Sequence, residues 1–186
     1  MAKKLEGSPV KVCTGVGFPL GAAAAQCKMQ ECEAARNHCA EEIDMVLNIG
    51  ALRSGDYHLV FKEIADVATV ARSGGGLLKV VIETCLLSDE QKRAACRLAK
   101  DAGADFVKTS TGFSTGGATA EDVRLMRSVV GPALGVKASG GIRSLAGLRS
   151  MLEAGANRIG ASAGINILQE LGGTGMGSQQ AATDAI

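Results

Sequence analysis

The sequence predicts a (β/α) barrel, and three observations predict it. Six apolar strand-like runs alternate with amphipathic helical runs along the whole chain, a βα unit recurs at an offset of 52 residues, and lysines interrupt strands that are otherwise apolar. Strict alternation of strand and crossover helix makes the strands parallel, because each helix returns the chain to the same edge. The length of 186 residues is one domain's worth, 1–186, and 46% hydrophobic residues supply its core.

The elements follow in order. VKVCTGV (10–16) reads as the first strand and EIDMVL (42–47) as the second. A helical stretch carrying Cys27, Cys32 and Cys39 lies between them. LLKVVIE (77–83) is the third strand, and Ser88 with Gln91 three residues on marks a capped helix start. FVKTS (106–110), GVKAS (135–139) and RIGAS (158–162) complete the set, with Thr119 and Ser144 as further N-caps and Gly103, Gly131 and Gly155 as stops. The opening MAKKLEGS reads as the end of a helix.

DAGADFVKTSTG, from Asp101, aligns with EAGANRIGASAG, from Glu153, so two βα units occupy 52 residues. CAEEIDMV is a fainter third copy, in which Cys39 matches Gly103 and Asp44 falls at the place of Lys108. A doubly wound sheet uses the same units, but its helices cover both faces and leave no room for a strand lysine. In a barrel, Lys108, Lys137 and Asp44 lie late in their strands and can converge on the carboxyl-end mouth. Lys79, early in its strand, is expected to snorkel, and Glu83 to belong to a polar network of its own.

Composition narrows the function. Lys plus Arg number 20 against 19 Asp plus Glu, which gives no basic excess for nucleic acid or an anionic membrane, and no run reaches the length of a transmembrane span. A small-molecule partner and a cytoplasmic setting are expected. The six cysteines contain no CxxC and read as small buried hydrophobes, and with only two histidines no metal site is expected. No cofactor is implied.

Two lysines together in a partly desolvated mouth repel, which lowers the pKa of at least one and supplies free amine near neutral pH. An amine adds to a carbonyl, and the resulting iminium lets a carbon–carbon bond break or form at the adjacent carbon. Asp44 can shuttle protons through a water. For Lys137 alone a snorkelling role competes, and for Asp44 alone a cap or ion-pair role. Ser139 to Ser144 and Gly160 to Gly164 each carry small residues from a strand end into a helix start, where an anion is favoured, although such glycines also serve tight turns. Arg143 beside a positive helix end favours the anion. GFSTGG (112–117) lacks the NTPase phosphate-loop pattern.

The motifs GFPLG (17–21), EEIDMVLNIGALRSGDY (41–57), LLKVVIETCLL (77–87), GADFVKTSTGFSTGGAT (103–119), GVKASGGIR (135–143) and RIGASAG (158–164) resemble the deoxyribose-phosphate aldolases. This resemblance implies a TIM (β/α)8 barrel and a lyase, a class I aldolase that cleaves 2-deoxyribose 5-phosphate to acetaldehyde and glyceraldehyde 3-phosphate. It implies Lys108 as the Schiff-base residue, Lys137 and Asp44 as the proton donor and acceptor pair, and Gly112, Gly140, Gly141, Arg143, Gly160 and Ser162 around the sugar phosphate. The chain is expected to begin at the family's third strand and to encode about six βα units, so edges at 10–16 and 158–162 invite self-association into a homo-oligomer. After GFPLG it reads AAAAQ where the family tends to carry Thr and Asn. A non-catalytic fragment or paralogue keeping the phosphate surface, and another class I aldolase on the same barrel, are the competing readings.

Overall fold

The computed structural model describes residues 2–180, with side chains through residue 172. Six parallel strands form one sheet in sequence order: β1 (Cys13–Val16), β2 (Glu42–Val46), β3 (Leu77–Val81), β4 (Phe106–Lys108), β5 (Gly135–Ser139) and β6 (Arg158–Gly160). All six expected strands are present, most of them a few residues shorter than their apolar runs. Helices α1 (Ala2–Leu5), α2 (Ala25–Asn37), α3 (Ile49–Ser54), α4 (Tyr57–Ser73), α5 (Asp89–Asp101), α6 (Ala120–Val130), α7 (Leu145–Glu153) and α8 (Gly164–Gln180) make up the connections. None is long and apolar enough to cross a membrane among the described residues.

The local signals do their expected work. Ser88 and Gln91 form a reciprocal capping box at α5, and the hydroxyls of Thr119 and Ser144 accept from the amides of Asp122 and Gly147 at α6 and α7. Cys39, the counterpart of Gly103 in the repeat, adopts φ 65° where Gly103 has φ 86°. The third copy thus keeps its left-handed turn without the glycine that makes such a turn easy.

Side chains alternate across the strands. Ile43, Met45, Leu78, Val80, Val107, Val136 and Ala138 are buried in the apolar core that the helices cover. The concave face of the sheet carries Glu42, Asp44, Lys79, Lys108, Lys137 and Arg158, tied together by ion pairs. Arg158 Nη1 in β6 reaches Glu42 Oε2 in β2 at 2.8 Å. A contact between strands so far apart in the sheet order requires strong curling, and the sheet is a curled half-barrel. Among the described residues β1 and β6 each pair on one side only.

Two expectations are corrected. Lys79 does not snorkel: it is fully buried, in register with Asp44, and paired to Glu42 and Asp44. β3 ends at Val81, short of its apolar run, so Lys79 is the third of its five residues and stands level with Asp44, the third of β2, with its side chain turned to the interior. Of the six cysteines only Cys32 and Cys96 are buried. Cys13, Cys27, Cys39 and Cys85 are exposed, since they fall on a strand edge, a helix surface and two connections.

Candidate active site

The site lies at the carboxyl ends of the strands, where each functional side chain is set by register. Lys108 and Lys137 are lateral neighbours on β4 and β5, and Asp44 comes from β2 across the curled interior. Asp44 Oδ2 accepts from Lys108 Nζ and from Lys137 Nζ, both at 2.7 Å. Its other oxygen, Oδ1, accepts from Lys79 Nζ at 3.0 Å and from the Cys13 thiol at 3.3 Å. The three residues expected to do the chemistry therefore share a single oxygen atom.

Electrostatics follow from this arrangement. Burial alone would raise the Asp44 carboxyl, but the ammoniums of Lys108, Lys137 and Lys79 outweigh it and hold Asp44 well below the usual carboxylate range. Burial lowers the pKa of Lys108; Asp44 opposes the shift, and repulsion from Lys137 adds to it. The lowering expected from lysine–lysine repulsion is present, with desolvation as its larger cause. Although Cys13 is exposed as a residue, its sulfur is turned inward against Asp44 and Lys79, and desolvation there raises the thiol, with Asp44 reinforcing it.

Above the two lysines opens a cleft of about 440 Å³. It is lined by Gly112, Gly140, Gly141, Arg143, Gly160 and Ser162, all six positions expected around the phosphate, together with Lys108 and Lys137. Asp44 lies beneath it. Gly140 has φ 88°, and its carbonyl oxygen lies 2.4 Å from where a Cβ on Gly117 would stand, so the 110–118 and 139–143 loops touch backbone to backbone. Gly160 stands in the repeat at the place of Lys108, and a Cβ there would come within 3.3 Å of Lys137 Cε. Its missing side chain leaves Lys137 room.

The loops are held by side chains. Thr109 Oγ1 donates to the Ser139 carbonyl at 3.0 Å and accepts from its amide at 3.1 Å, while Ser139 Oγ donates to the Ser110 carbonyl at 2.7 Å. This clasp fixes β4 against β5 immediately after the two lysines. Buried Glu83 accepts from the Thr111 amide at 3.2 Å and from its hydroxyl, the separate network foreseen for it. At α7 an anion is already present: Glu170 Oε2 accepts from the Leu145 amide at 2.8 Å. The positive helix start beside Arg143 is thus already answered by Glu170, without an external anion. Arg143 itself is exposed on the cleft wall.

Two aromatic residues escaped the sequence reading. Phe18, from the GFPLG loop, packs over Gly15 and places its ring 6.0 Å from Lys108 Nζ, and it meets Phe113 edge to face with centroids 5.6 Å apart. Their only sequence signal was membership of two glycine-rich loops flanking the mouth. Phe18 turns toward the lysine a π face that favours positive charge, and Phe113 packs against Phe18 at the mouth.

Comparison with known proteins gives the family of the chain. A family model described as DeoC/LacD family aldolase matches residues 18–170. The deoxyribose-phosphate aldolase of Caldanaerobacter subterraneus subsp. tengcongensis is 58% identical over 174 residues, which are 93% of this chain and 75% of that protein. The Streptococcus pneumoniae deoxyribose-phosphate aldolase is 60% identical over 167 residues, 90% of this chain and 75% of its own length. The tetrameric structure of the Aeropyrum pernix deoxyribose phosphate aldolase superposes with TM-score 0.84 at 34% identity, covering 91% of this chain and 71% of that one. A shared barrel-family fold and relatives of this identity over most of the chain leave one conclusion: the chain belongs to the DeoC/LacD family aldolases.

Proposed function

We propose that the chain is a deoxyribose-phosphate aldolase, a lyase that reversibly cleaves 2-deoxyribose 5-phosphate, with Lys108 as its nucleophile. The observation that carries the residue roles is the single Asp44 oxygen shared at 2.7 Å by Lys108 and Lys137 beneath a cleft with a cationic, glycine-lined wall.

Lys108, as free amine, adds to C1 of the open-chain aldehyde, and the carbinolamine loses water to an iminium. The C3 hydroxyl gives up its proton and the C2–C3 bond breaks. Its electron pair passes through C1–C2 to the iminium nitrogen, leaving an enamine, while C3 becomes the aldehyde of glyceraldehyde 3-phosphate. Protonation at C2 and addition of water then release acetaldehyde and the lysine. Asp44 and Lys137 are the acceptor and donor for these protons, relayed through water. Gly112, Gly140, Gly141, Arg143, Gly160 and Ser162 hold the phosphate end, so C1 is delivered to Lys108 in a fixed orientation. A cytoplasmic setting fits a free phosphorylated sugar, and the tetramer of the Aeropyrum relative supports self-association of this chain as well.

Borohydride reduction in the presence of acetaldehyde tests the assignment. The expected result is a two-carbon adduct on the peptide containing Lys108, formed more readily as pH rises, because the amine is the reacting form. Adduct on the Lys137 peptide alone would overturn it.

A further inference from the structure

Lys79 does not line the cleft, yet its ammonium touches the group on which both cleft lysines depend. It contacts Glu42 Oε2 at 2.7 Å, Asp44 Oδ1 at 3.0 Å and Cys13 Sγ at 3.4 Å. Glu42 is gripped from its other side by Arg158 Nη1, at 2.8 and 3.1 Å. The chain Arg158–Glu42–Lys79–Asp44 therefore runs through the interior and ends at the oxygen pair of Asp44, with Oδ1 taken from below and Oδ2 left to Lys108 and Lys137.

A purely structural explanation is weak. Barrel interiors are usually filled by branched aliphatic side chains, and a buried ion pair stabilises little compared with well-packed apolar residues of the same volume. Four cations here face two carboxylates, an excess that a stability role does not require. Without Lys79, Oδ1 would keep only the weak thiol donor of Cys13, and the Asp44 carboxylate would turn and give both oxygens to the lysines above, fastening a proton on the amine that must be free.

We propose that Lys79 is a positioning residue for the aldol chemistry: by holding Asp44 Oδ1 it aims Oδ2 between Lys108 and Lys137 and keeps the anion from pairing fully with Lys108. This rests on the reading of Lys108 as nucleophile. The charged or titratable groups facing Lys108 are Asp44 from β2, Lys137 from β5 and Cys13 from β1. Lys79 from β3 lies behind Asp44, with Glu42 and Arg158 behind it.

The test compares the pH dependence of kcat/KM for the parent chain, Lys79→Met and Glu42→Gln. In Lys79→Met a cation is gone and Asp44 is freed toward Lys108. Both changes favour the protonated amine, so the acidic limb moves up by about one pH unit, roughly a tenfold loss at pH values below the limb. In Glu42→Gln, Lys79 has only Asp44 to neutralise and draws charge away from Lys108, so the limb moves down. A structural role would lower kcat/KM at every pH and leave the limb in place, and that result in either variant overturns the proposal. Should Lys79→Met fail to fold, Glu42→Gln decides by the sign of its shift. Borohydride trapping on the parent chain separates the two readings. With the adduct absent from Lys108, both fall; with the adduct on Lys108 and an unmoved limb, only the role of Lys79 falls.

Discussion

Lys28 in α2 and Glu63 in α4 form a buried pair at 2.7 Å, with Asn48 Nδ2 donating to the other Glu63 oxygen at 3.4 Å and the Gly17 backbone lying over the lysine stem. Lys108, Lys137 and Lys79 converge on one carboxylate, Asp44, under an open cleft. Both clusters bury lysine beside a carboxylate, but the first balances one cation with one anion between two helices. The second, with Glu42 and Arg158 included, sets four cations on two anions and leaves two of the lysines facing a space that a substrate can enter. In the crowded cluster burial and repulsion from Lys137 outweigh Asp44 and lower the pKa of Lys108, which readies that amine to lose its proton. Burial of a lysine is thus no sign of function; charge imbalance next to a cleft is.

The largest effect expected from breaking this contrast is at Asp44. Asp44→Asn removes the proposed acceptor of the proton relay and the one counter-ion that Lys108 and Lys137 share among the described residues, so kcat/KM should fall by about 10² to 10⁴ in a retro-aldol assay. Lys28→Met breaks the balanced pair instead. It strands Glu63 in the interior and should cost about 3–5 kcal/mol in stability, read by denaturant unfolding, while kcat/KM of the folded protein changes by no more than a few-fold. If the two variants exchanged these profiles, charge balance would not be what separates the clusters.

Much of this was legible in the sequence, for identifiable reasons. Strand and helix order followed from period and caps, and the fainter third copy of the βα unit aligned Asp44 with Lys108. The six positions expected around a phosphate came through the family motifs, and all line the cleft. Lys79 was misjudged because β3 ends at Val81, short of its apolar run, which makes Lys79 its central residue, and because its pairing with Asp44 and Glu42 is a contact between strands that one strand does not display. Phe18 was hidden for a related reason. Its ring reaches Lys108 only because Gly15 leaves a gap in β1, and that is a contact between elements. Glu170, from α8, answers the first amide of α7 in the same long-range way.

The smallest expected effect concerns Arg143, which sharpens the comparison from the other end. Among the described residues it is an exposed cation on the cleft wall, neither balanced like Lys28 nor crowded like Lys108. A guanidinium so placed adds little to folding, so Arg143→Ala should unfold at the same denaturant concentration as the parent. Its contribution appears only when an anion enters. A charge-assisted hydrogen bond to phosphate contributes about 1.5–3 kcal/mol, so KM for 2-deoxyribose 5-phosphate should rise roughly 10- to 100-fold, with kcat much less affected. Unphosphorylated deoxyribose, which offers Arg143 no dianion, should be cleaved by parent and variant at nearly the same low kcat/KM. Equal losses on both sugars would mean that Arg143 shapes the 140–143 loop, and the phosphate would then rest on the loop amides and the start of α8 alone.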